Sequence, residues 1–322
     1  SGYMARVAFM MDHIMNKIGL HGKSVLPLMS GYACAIPGIM ATRTIDNWKE
    51  RLITILILPL MSCSARLPIY TLMIGAFIPN KPILGFLNLQ GLTMVFMYFL
   101  GTGTAMLIAA IISRFIKEKG SSSFIMELPP YRIPLARSIF RQLYIRGKLF
   151  VINAGKIIMA ISIVLWFLAS FPKSGEDGKP ATIHQSYAGR IGHAIEPVIE
   201  PLGFDWKIGV GLLTSFAARE VVVSTLATLY NVEGGGDDIV GITDALKNDI
   251  NPATGLPRYT VLVALSIMVF YVYAAQCMAT FAIVKNETNS WKWPIYMILY
   301  MTALAYLASL LVYQGGTLLG YS

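Results

Sequence analysis

The sequence predicts an all-α, polytopic integral membrane protein, a helical bundle with broken or re-entrant helices. Of its 322 residues, 55% are hydrophobic and only 13% are charged, and the mean hydropathy is +0.60. Charged residues make up about a quarter of an ordinary soluble domain. A soluble chain this apolar cannot cover its surface with polar groups, whereas a bilayer removes that requirement.

Two of the apolar segments carry residues that interrupt a helix. Segments 25–42 and 52–78 each contain prolines and small or polar residues near the middle. A proline removes a helical hydrogen bond, and in a membrane a broken helix persists only where it is buried in protein or lines a cavity. We therefore expect breaks near Pro37 and near Cys63. Other apolar segments are predicted at 91–113, 149–171, 208–230, 259–284 and 293–313. Segment 3–17 has a helical pattern but is too short and too charged to span alone, and segment 191–204 is amphipathic and broken by prolines.

The net charge of +9 is concentrated in one stretch of the chain. Between Arg114 and Lys148 there are eight Lys or Arg and two Asp or Glu, a net charge of +6. The positive-inside rule places this stretch in the cytoplasm. Residues 131–147 have the pattern of a basic amphipathic helix lying on the membrane surface. Because the charge lies between hydrophobic spans, nucleic acid is not an expected partner.

Enzyme signatures are missing from the sequence. Residues 20–24 read Leu-His-Gly-Lys-Ser, like the end of a phosphate-binding loop, but Lys17 stands where that motif needs a glycine. We therefore predict no catalytic residues and no nucleotide site or bound cofactor in this chain. The sequence begins at Ser1, without an initiator Met or a signal peptide, so we expect a piece of a longer protein.

The three cysteines are candidate metal ligands. Cys34, Cys63 and Cys277 are odd in number and widely spaced, which argues against a disulfide framework. Cys34 and Cys63 lie at the two expected breaks, and Cys277 lies in a charge-free span. Sulfur beside freed carbonyls suits a borderline-soft divalent ion such as Fe²⁺. Each cysteine alone is also explained as a small buried apolar residue, and the spacing does not bring the three together.

The fourth candidate ligand is Glu220. An ionisable group inside a bilayer costs about 2.5–3.5 kcal/mol, so it is usually paired or functional. One interpretation pairs Glu220 with Arg219. However, neighbours on a helix do not face each other, so the other interpretation directs Glu220 into a polar pathway while Arg219 pairs elsewhere.

These motifs, taken in order, make the sequence resemble the FeoB family of ferrous-iron transporters. The matching segments cover nearly the whole chain: Gly2–Phe9, Gly22–Ser24, Cys34–Pro37, Ala41–Thr44, Glu50–Leu52, Ser62–Pro68, Ala218–Val223, Gln276–Thr280 and Lys285–Trp293. The resemblance implies Gate regions around a permease segment, with the three cysteines on or near the path of Fe²⁺. We divide the chain into 1–113 (the end of a first Gate region and the central segment), 114–148 (the basic connector) and 149–322 (the second Gate region).

The resemblance also implies partners and a location. It places a GTPase domain, which would bind GTP and Mg²⁺, and a helical coupling domain before the membrane part. Small Feo accessory proteins, membrane lipid and a homo-oligomer are the other expected partners, and the bacterial inner membrane is the expected location. Three alternatives stay open: a transporter for another divalent metal such as Mn²⁺ or Zn²⁺, a Gate-fold transporter of a nucleoside-like solute, and a membrane scaffold.

An internal repeat is a further expectation. Ala5-Arg6-Val7 resembles Ala218-Arg219-Glu220-Val221, and each motif precedes a segment with a cysteine. Basic residues follow those cysteines at a similar distance, Arg43 after Cys34 and Lys285 after Cys277. This pattern pairs Cys34 with Cys277. Transporters are often built from such repeats, with broken helices at matching positions.

Overall fold

The chain folds almost entirely into helices. A computed structural model describes residues 2–82, 88–115, 130–131, 135–171, 186–216, 219–230, 232, 236, 238–250, 255 and 257–320. Within these residues there are fourteen α-helices, several short 3₁₀ turns and two isolated β-bridges. The α-helices are α1 Tyr3–Ile18, α2 Val25–Gly31, α3 Ala35–Ala41, α4 Trp48–Ile57, α5 Leu67–Phe77, α6 Leu89–Phe115, α7 Ala136–Ser170, α8 Tyr187–Ile199, α9 Trp206–Ser215, α10 Val221–Leu229, α11 Ile239–Lys247, α12 Val261–Tyr273, α13 Met278–Thr288 and α14 Lys292–Leu318.

Among the residues that the structure describes, four helical segments are long and apolar enough to cross a bilayer. Two are unbroken, α6 and α14, and two are broken, α4–α5 (Trp48–Phe77) and α12–α13 (Val261–Thr288). Only 22% of the most apolar stretch of α6 or of α14 is buried by protein, against 72% for each broken segment. Exposed side chains such as Phe96, Phe99 and Leu311 therefore suit a lipid-facing surface. The all-α, multi-pass membrane fold is confirmed.

The two breaks expected from the sequence are present. In the first segment, α2 ends at Gly31 and α3 begins at Ala35, so the break lies at Tyr32–Cys34. Pro37 is not at the break but in the first turn of α3, where a proline costs no hydrogen bond. In the second segment, Met61–Cys63 is non-helical and separates 3₁₀ turns that end α4 and precede α5.

Two further breaks were not expected at these places. The apolar run 208–230 is divided into α9 and α10, with Arg219 and Glu220 in the turn between them. The predicted span 259–284 is interrupted at Ala274–Cys277, between α12 and α13. No proline lies close to either break, whereas Pro37 and Pro59 lie close to the first two, so that signal is missing here.

The prediction of a separate surface helix at 131–147 is wrong. Residues 136–170 form one uninterrupted helix, α7, which joins the basic pattern to the apolar span predicted at 149–171. An unbroken helix does not turn from the membrane plane into the membrane. Of the basic connector 114–148, residues 116–129 and 132–134 lie outside the described residues.

The same order of elements occurs twice. Residues 3–115 run through a helix, a left-handed glycine, a broken hairpin of short helices, a broken span and an unbroken span, and residues 187–318 repeat that order with α11 inserted before the broken span. The left-handed glycines are Gly19 and Gly203, each with φ of 81°. Each packs against the C-terminal part of the following unbroken span, Gly19 against Ser113 and Gly203 against Tyr313. The repeat is thus present, but it starts at α1 and α8 rather than at Ala5 and Ala218.

The described chain forms two compact units. Unit 1 comprises residues 1–64, 100–157 and 279–297, and unit 2 comprises 65–99, 158–278 and 298–322. Unit 1 is built around α4, where Leu52–Ile57 are all buried, as expected for a helical stretch whose only polar residue is Thr54. In unit 2, α5 packs against α10, α11 and α12.

Candidate functional site

The two breaks of unit 1 are joined by hydrogen bonds. The backbone N–H of Ser64 donates to the carbonyl of Tyr32 at 3.0 Å, and the hydroxyl of Ser64 donates to the carbonyl of Ala33 at 2.9 Å. A break in a helix leaves carbonyls without intrahelical partners. Here the residue after Cys63 satisfies the carbonyls that precede Cys34, so the two cysteine-bearing breaks lie side by side.

Close packing of α2 supports this junction. A Cβ at Gly31 would lie 2.8 Å from Cδ2 of the buried Leu58, which would have to move, so glycine eases the approach of α2 to the end of α4. On the other side, the hydroxyl of Tyr32 shares a 2.8 Å hydrogen bond with the hydroxyl of Thr102 on α6. The first break is therefore held between α6 and the second break.

All three cysteines are thiols of intermediate exposure, with no disulfide among them. Cys34 has extended backbone angles, φ −157° and ψ 137°, and directly precedes α3. Cys63 ends the second break, and Cys277 directly precedes α13. Among the described residues, no group of three or more His, Cys, Asp or Glu side chains is arranged to hold a metal ion. The predicted ligand set thus stays a prediction.

The break at Ala274–Cys277 in unit 2 repeats the contact seen in unit 1. The backbone N–H of Met278, the residue after Cys277, donates to the carbonyl of Phe216 at 3.2 Å, as Ser64 does to Tyr32. This relationship pairs Cys277 with Cys63, and the pairing of Cys277 with Cys34 predicted from sequence is wrong. Gln276 is 3% exposed and helps to line a cavity of about 230 Å³ beside this break.

Arg219, and not Glu220, is the buried member of its pair. Arg219 is 5% exposed, and its Nη2 donates to the carbonyl of Ala274 at 3.0 Å, at the C-terminal end of α12. A cation there complements the partial negative charge of a helix C-terminus. Glu220 is exposed, and the prediction that its carboxylate faces a polar cavity within the bundle stays a prediction. Its role as a metal ligand stays a prediction.

One buried carboxylate in unit 1 was not predicted from the sequence as a site residue. Glu287, on α13, has a side chain only 4% exposed and accepts hydrogen bonds from two arginines. Arg43 donates Nε to both carboxylate oxygens at 3.0 Å and Nη2 to Oε1 at 2.7 Å, while Arg51 donates Nη2 to Oε2 at 2.7 Å. These hydrogen bonds and the negative charge of Glu287 raise the pKa of Arg43. The sequence shows these opposite charges at the ends of apolar helices, but no local pattern shows that Glu287 and Arg43 meet.

A second polar cluster lies where α9 and α12 begin in unit 2. Asp205 caps α9 by accepting from the N–H of Ile208 at 3.0 Å, and it also accepts from Tyr259 Oη at 3.1 Å and from Arg258 Nη1 at 3.2 Å. Burial raises the pKa of the Asp205 carboxyl, although these three partners act in the opposite direction. Asp249 accepts from Lys207 and Tyr230 nearby.

Comparisons with known proteins fit this architecture. The Gate family model, described as nucleoside recognition, matches residues 1–77 and 151–291, and the model for the C terminus of ferrous iron transport protein B matches residues 94–146. A protein of Leptospira biflexa named Fe(2+) transporter FeoB is 47% identical over 323 residues, covering 100% of this chain and 47% of the relative. A Staphylococcus aureus protein of the same name is 38% identical over 99% of this chain and 44% of its own length.

The chain belongs to the FeoB family. It spans about half the length of the curated FeoB relatives it matches. A further relative, from Porphyromonas gingivalis, is named an Fe(2+) transport protein A/Fe(2+) transporter FeoB fusion protein and is 39% identical over 99% of this chain and 40% of its own length. No solved structure matched the chain. Within this FeoB chain, the Gate match covers all three cysteines and also Glu220 and Glu287.

Proposed function

We propose that this chain is the membrane permease part of a ferrous-iron transporter and moves Fe²⁺ into the cytoplasm across the bacterial inner membrane. The proposal is carried by the junction of the two breaks in unit 1, where Ser64 bonds to the carbonyls of Tyr32 and Ala33. Iron as the cargo is supported by relatives named Fe(2+) transporter FeoB, which match nearly the whole chain.

Mixed ligands account for passage of a borderline-soft ion. Cys34 and Cys63 supply sulfur at adjoining breaks, and Cys277 supplies sulfur at the corresponding break of the second repeat. Glu220 adds a hard carboxylate. Because conduction requires that an ion binds and then leaves, a few weak ligands suit transport better than a closed cage of four.

The chain acts as a transporter and not as an enzyme. GTP and Mg²⁺ bind to the GTPase domain that precedes the membrane part in the whole protein, and the basic connector 114–148 faces the cytoplasm. The fusion named in Porphyromonas gingivalis supports a small Feo protein as a partner. We also propose that the protein forms a homo-oligomer.

The test is uptake by the full-length protein, offered Fe²⁺, Mn²⁺ and Zn²⁺ separately under reducing conditions. We expect uptake of Fe²⁺ to exceed that of the other two ions, and Cys63→Ser to reduce it. Equal or faster uptake of Mn²⁺ or Zn²⁺ would assign the chain to another metal. Uptake of a nucleoside without any metal uptake would overturn the proposal.

A further inference from the structure

Glu287 lies where three helices meet in unit 1. Arg43 lies in the 3₁₀ turn Thr42–Thr44 that directly follows α3, Arg51 lies on α4, and Glu287 lies in the last turn of α13. The carboxylate accepts four hydrogen bonds of 2.7–3.0 Å from these two arginines. We call this group of three residues the arginine–glutamate node.

Each helix of the node runs directly to one of the cysteine-bearing breaks. Helix α3 begins at the residue after Cys34, α4 leads through its 3₁₀ turn into the break that ends at Cys63, and α13 begins at the residue after Cys277. A helix transmits displacement along its axis because its backbone hydrogen bonds hold its length. The node thus fixes the far ends of the three half-helices that carry the candidate ligands.

The three charged side chains of the arginine–glutamate node differ in their exposure. The side chain of Glu287 is 4% exposed, that of Arg51 is 21% exposed and that of Arg43 is 65% exposed. A buried carboxylate depends on its partners, because removing them leaves a charge that is neither solvated nor paired. Arg43, in contrast, can leave the node and remain solvated.

We propose that Glu287 is a positioning residue for transport, which holds α3, α4 and α13 together so that the three cysteine-bearing breaks open and close as one unit. The carboxylate does not touch the ion; it acts through the helices that end at Cys34, Cys63 and Cys277. This inference rests on the proposed function for its transport consequence, but the mechanical coupling stands apart from the identity of the cargo.

The experiment measures how fast each cysteine reacts with a membrane-impermeant maleimide in the full-length protein, with labelled peptides quantified by mass spectrometry. It is done without metal, so no ligand has to be replaced or identified. In Glu287→Gln we expect labelling of Cys34, Cys63 and Cys277 to rise together, by about tenfold or more, because the node no longer restrains the half-helices. Arg43→Gln should produce the same pattern, and the double variant should be no worse than the worse single variant.

Asp46→Asn supplies a matched control in the same unit. Lys23 and Asp46 form a 2.6 Å ion pair, but the Asp46 side chain is 88% exposed, so its loss should leave all three labelling rates unchanged. If Glu287→Gln does not insert into the membrane, Arg43→Lys is measured in its place. Lysine keeps the positive charge but cannot make the two-pronged contact, so we expect a smaller rise in the labelling of all three cysteines. Unchanged labelling, or a rise at one cysteine only, would overturn the proposal.

Transport provides the second measurement. Fe²⁺ uptake by Glu287→Gln should show a lower maximal rate with little change in the concentration for half-maximal uptake, because the ligands are intact. A changed half-maximal concentration with unchanged maximal rate would place Glu287 among the ion ligands and overturn the positioning role. Failure of the unmodified protein to take up Fe²⁺ would instead count against the proposed function, and the labelling result would still decide the coupling.

Discussion

Ser64 donates its backbone N–H to the carbonyl of Tyr32 at 3.0 Å, across two helix breaks that are 32 residues apart in the sequence. The bond ties the residue that follows Cys63 to the residue that lies two places before Cys34. Two broken helices that satisfy each other's backbone groups do not need water or lipid to do so. The junction therefore holds the two cysteine-bearing breaks side by side, with the carbonyls of Tyr32 and Ala33 hydrogen-bonded to Ser64.

Serine substitutions at Cys34 and Cys63 test whether the two sulfurs act on one path. A packing role predicts that serine, which is close in size, is tolerated at both positions. A ligand role predicts that either substitution impairs Fe²⁺ uptake by the full-length protein, and that the double variant is little worse than the worse single variant. Membrane levels of each variant are measured alongside uptake. Near-normal uptake by the double variant would reduce both residues to packing.

The sequence predicted those parts of the fold that depend on composition and on proline. The apolar spans and the breaks at Tyr32–Cys34 and Met61–Cys63 followed from such signals. The breaks around Arg219 and at Ala274–Cys277 have no proline nearby. They are stabilised by tertiary contacts such as that of Arg219 with Ala274, which the local sequence does not show. Likewise, Glu287 meets Arg43 across 244 residues, and no local pattern reports such a pairing.

Replacing the glycine at either of the two left-handed turns should destabilise the protein. At Gly19 and Gly203, with φ of 81°, a Cβ would meet Ser113 and the ring of Tyr313, respectively. An alanine at either position would have to adopt the left-handed φ and would also overlap with these neighbouring atoms. Gly19→Ala and Gly203→Ala should therefore each lower the free energy of unfolding by about 2 kcal/mol or more. Thermal unfolding in detergent measures this.

Gly75→Ala is the matched control for both. Gly75 lies within α5, and a Cβ there would meet nothing within 4 Å. Alanine at a helical position with open space should be neutral or stabilising by about 0.5–1 kcal/mol. A loss of stability at Gly75 as large as at Gly203 would show that the detergent assay reports something other than the turn geometry.

Truncation should destabilise the protein at Arg219 but hardly at Glu220. Arg219→Ala leaves the carbonyl of Ala274 without its guanidinium donor and should destabilise the protein by about 1–3 kcal/mol. Glu220→Ala removes an exposed side chain and should change the stability by no more than about 0.5 kcal/mol. Unfolding temperatures and Fe²⁺ uptake are compared for both variants. Normal uptake by Glu220→Ala would remove Glu220 from the proposed ligands.

The carboxyl of Asp205 should make the stability depend on pH in a direction opposite to that of an ordinary ion-paired carboxylate. Burial raises its pKa above the ordinary value of 3.8, so between 3.8 and the raised value the folded protein binds a proton that the unfolded chain has released. The unfolded state then holds fewer protons than the folded state, and the free energy of unfolding falls as the pH rises through this window. Asp205→Asn has no proton to lose, so its unfolding temperature minus that of the unmodified protein should increase as the pH rises from about 4 towards neutrality. Taking this difference cancels the titration of the other carboxylates. A constant difference would mean that the ion pair with Arg258 cancels the effect of burial, and a difference that decreases with pH would mean that the ion pair lowers the pKa of Asp205 instead.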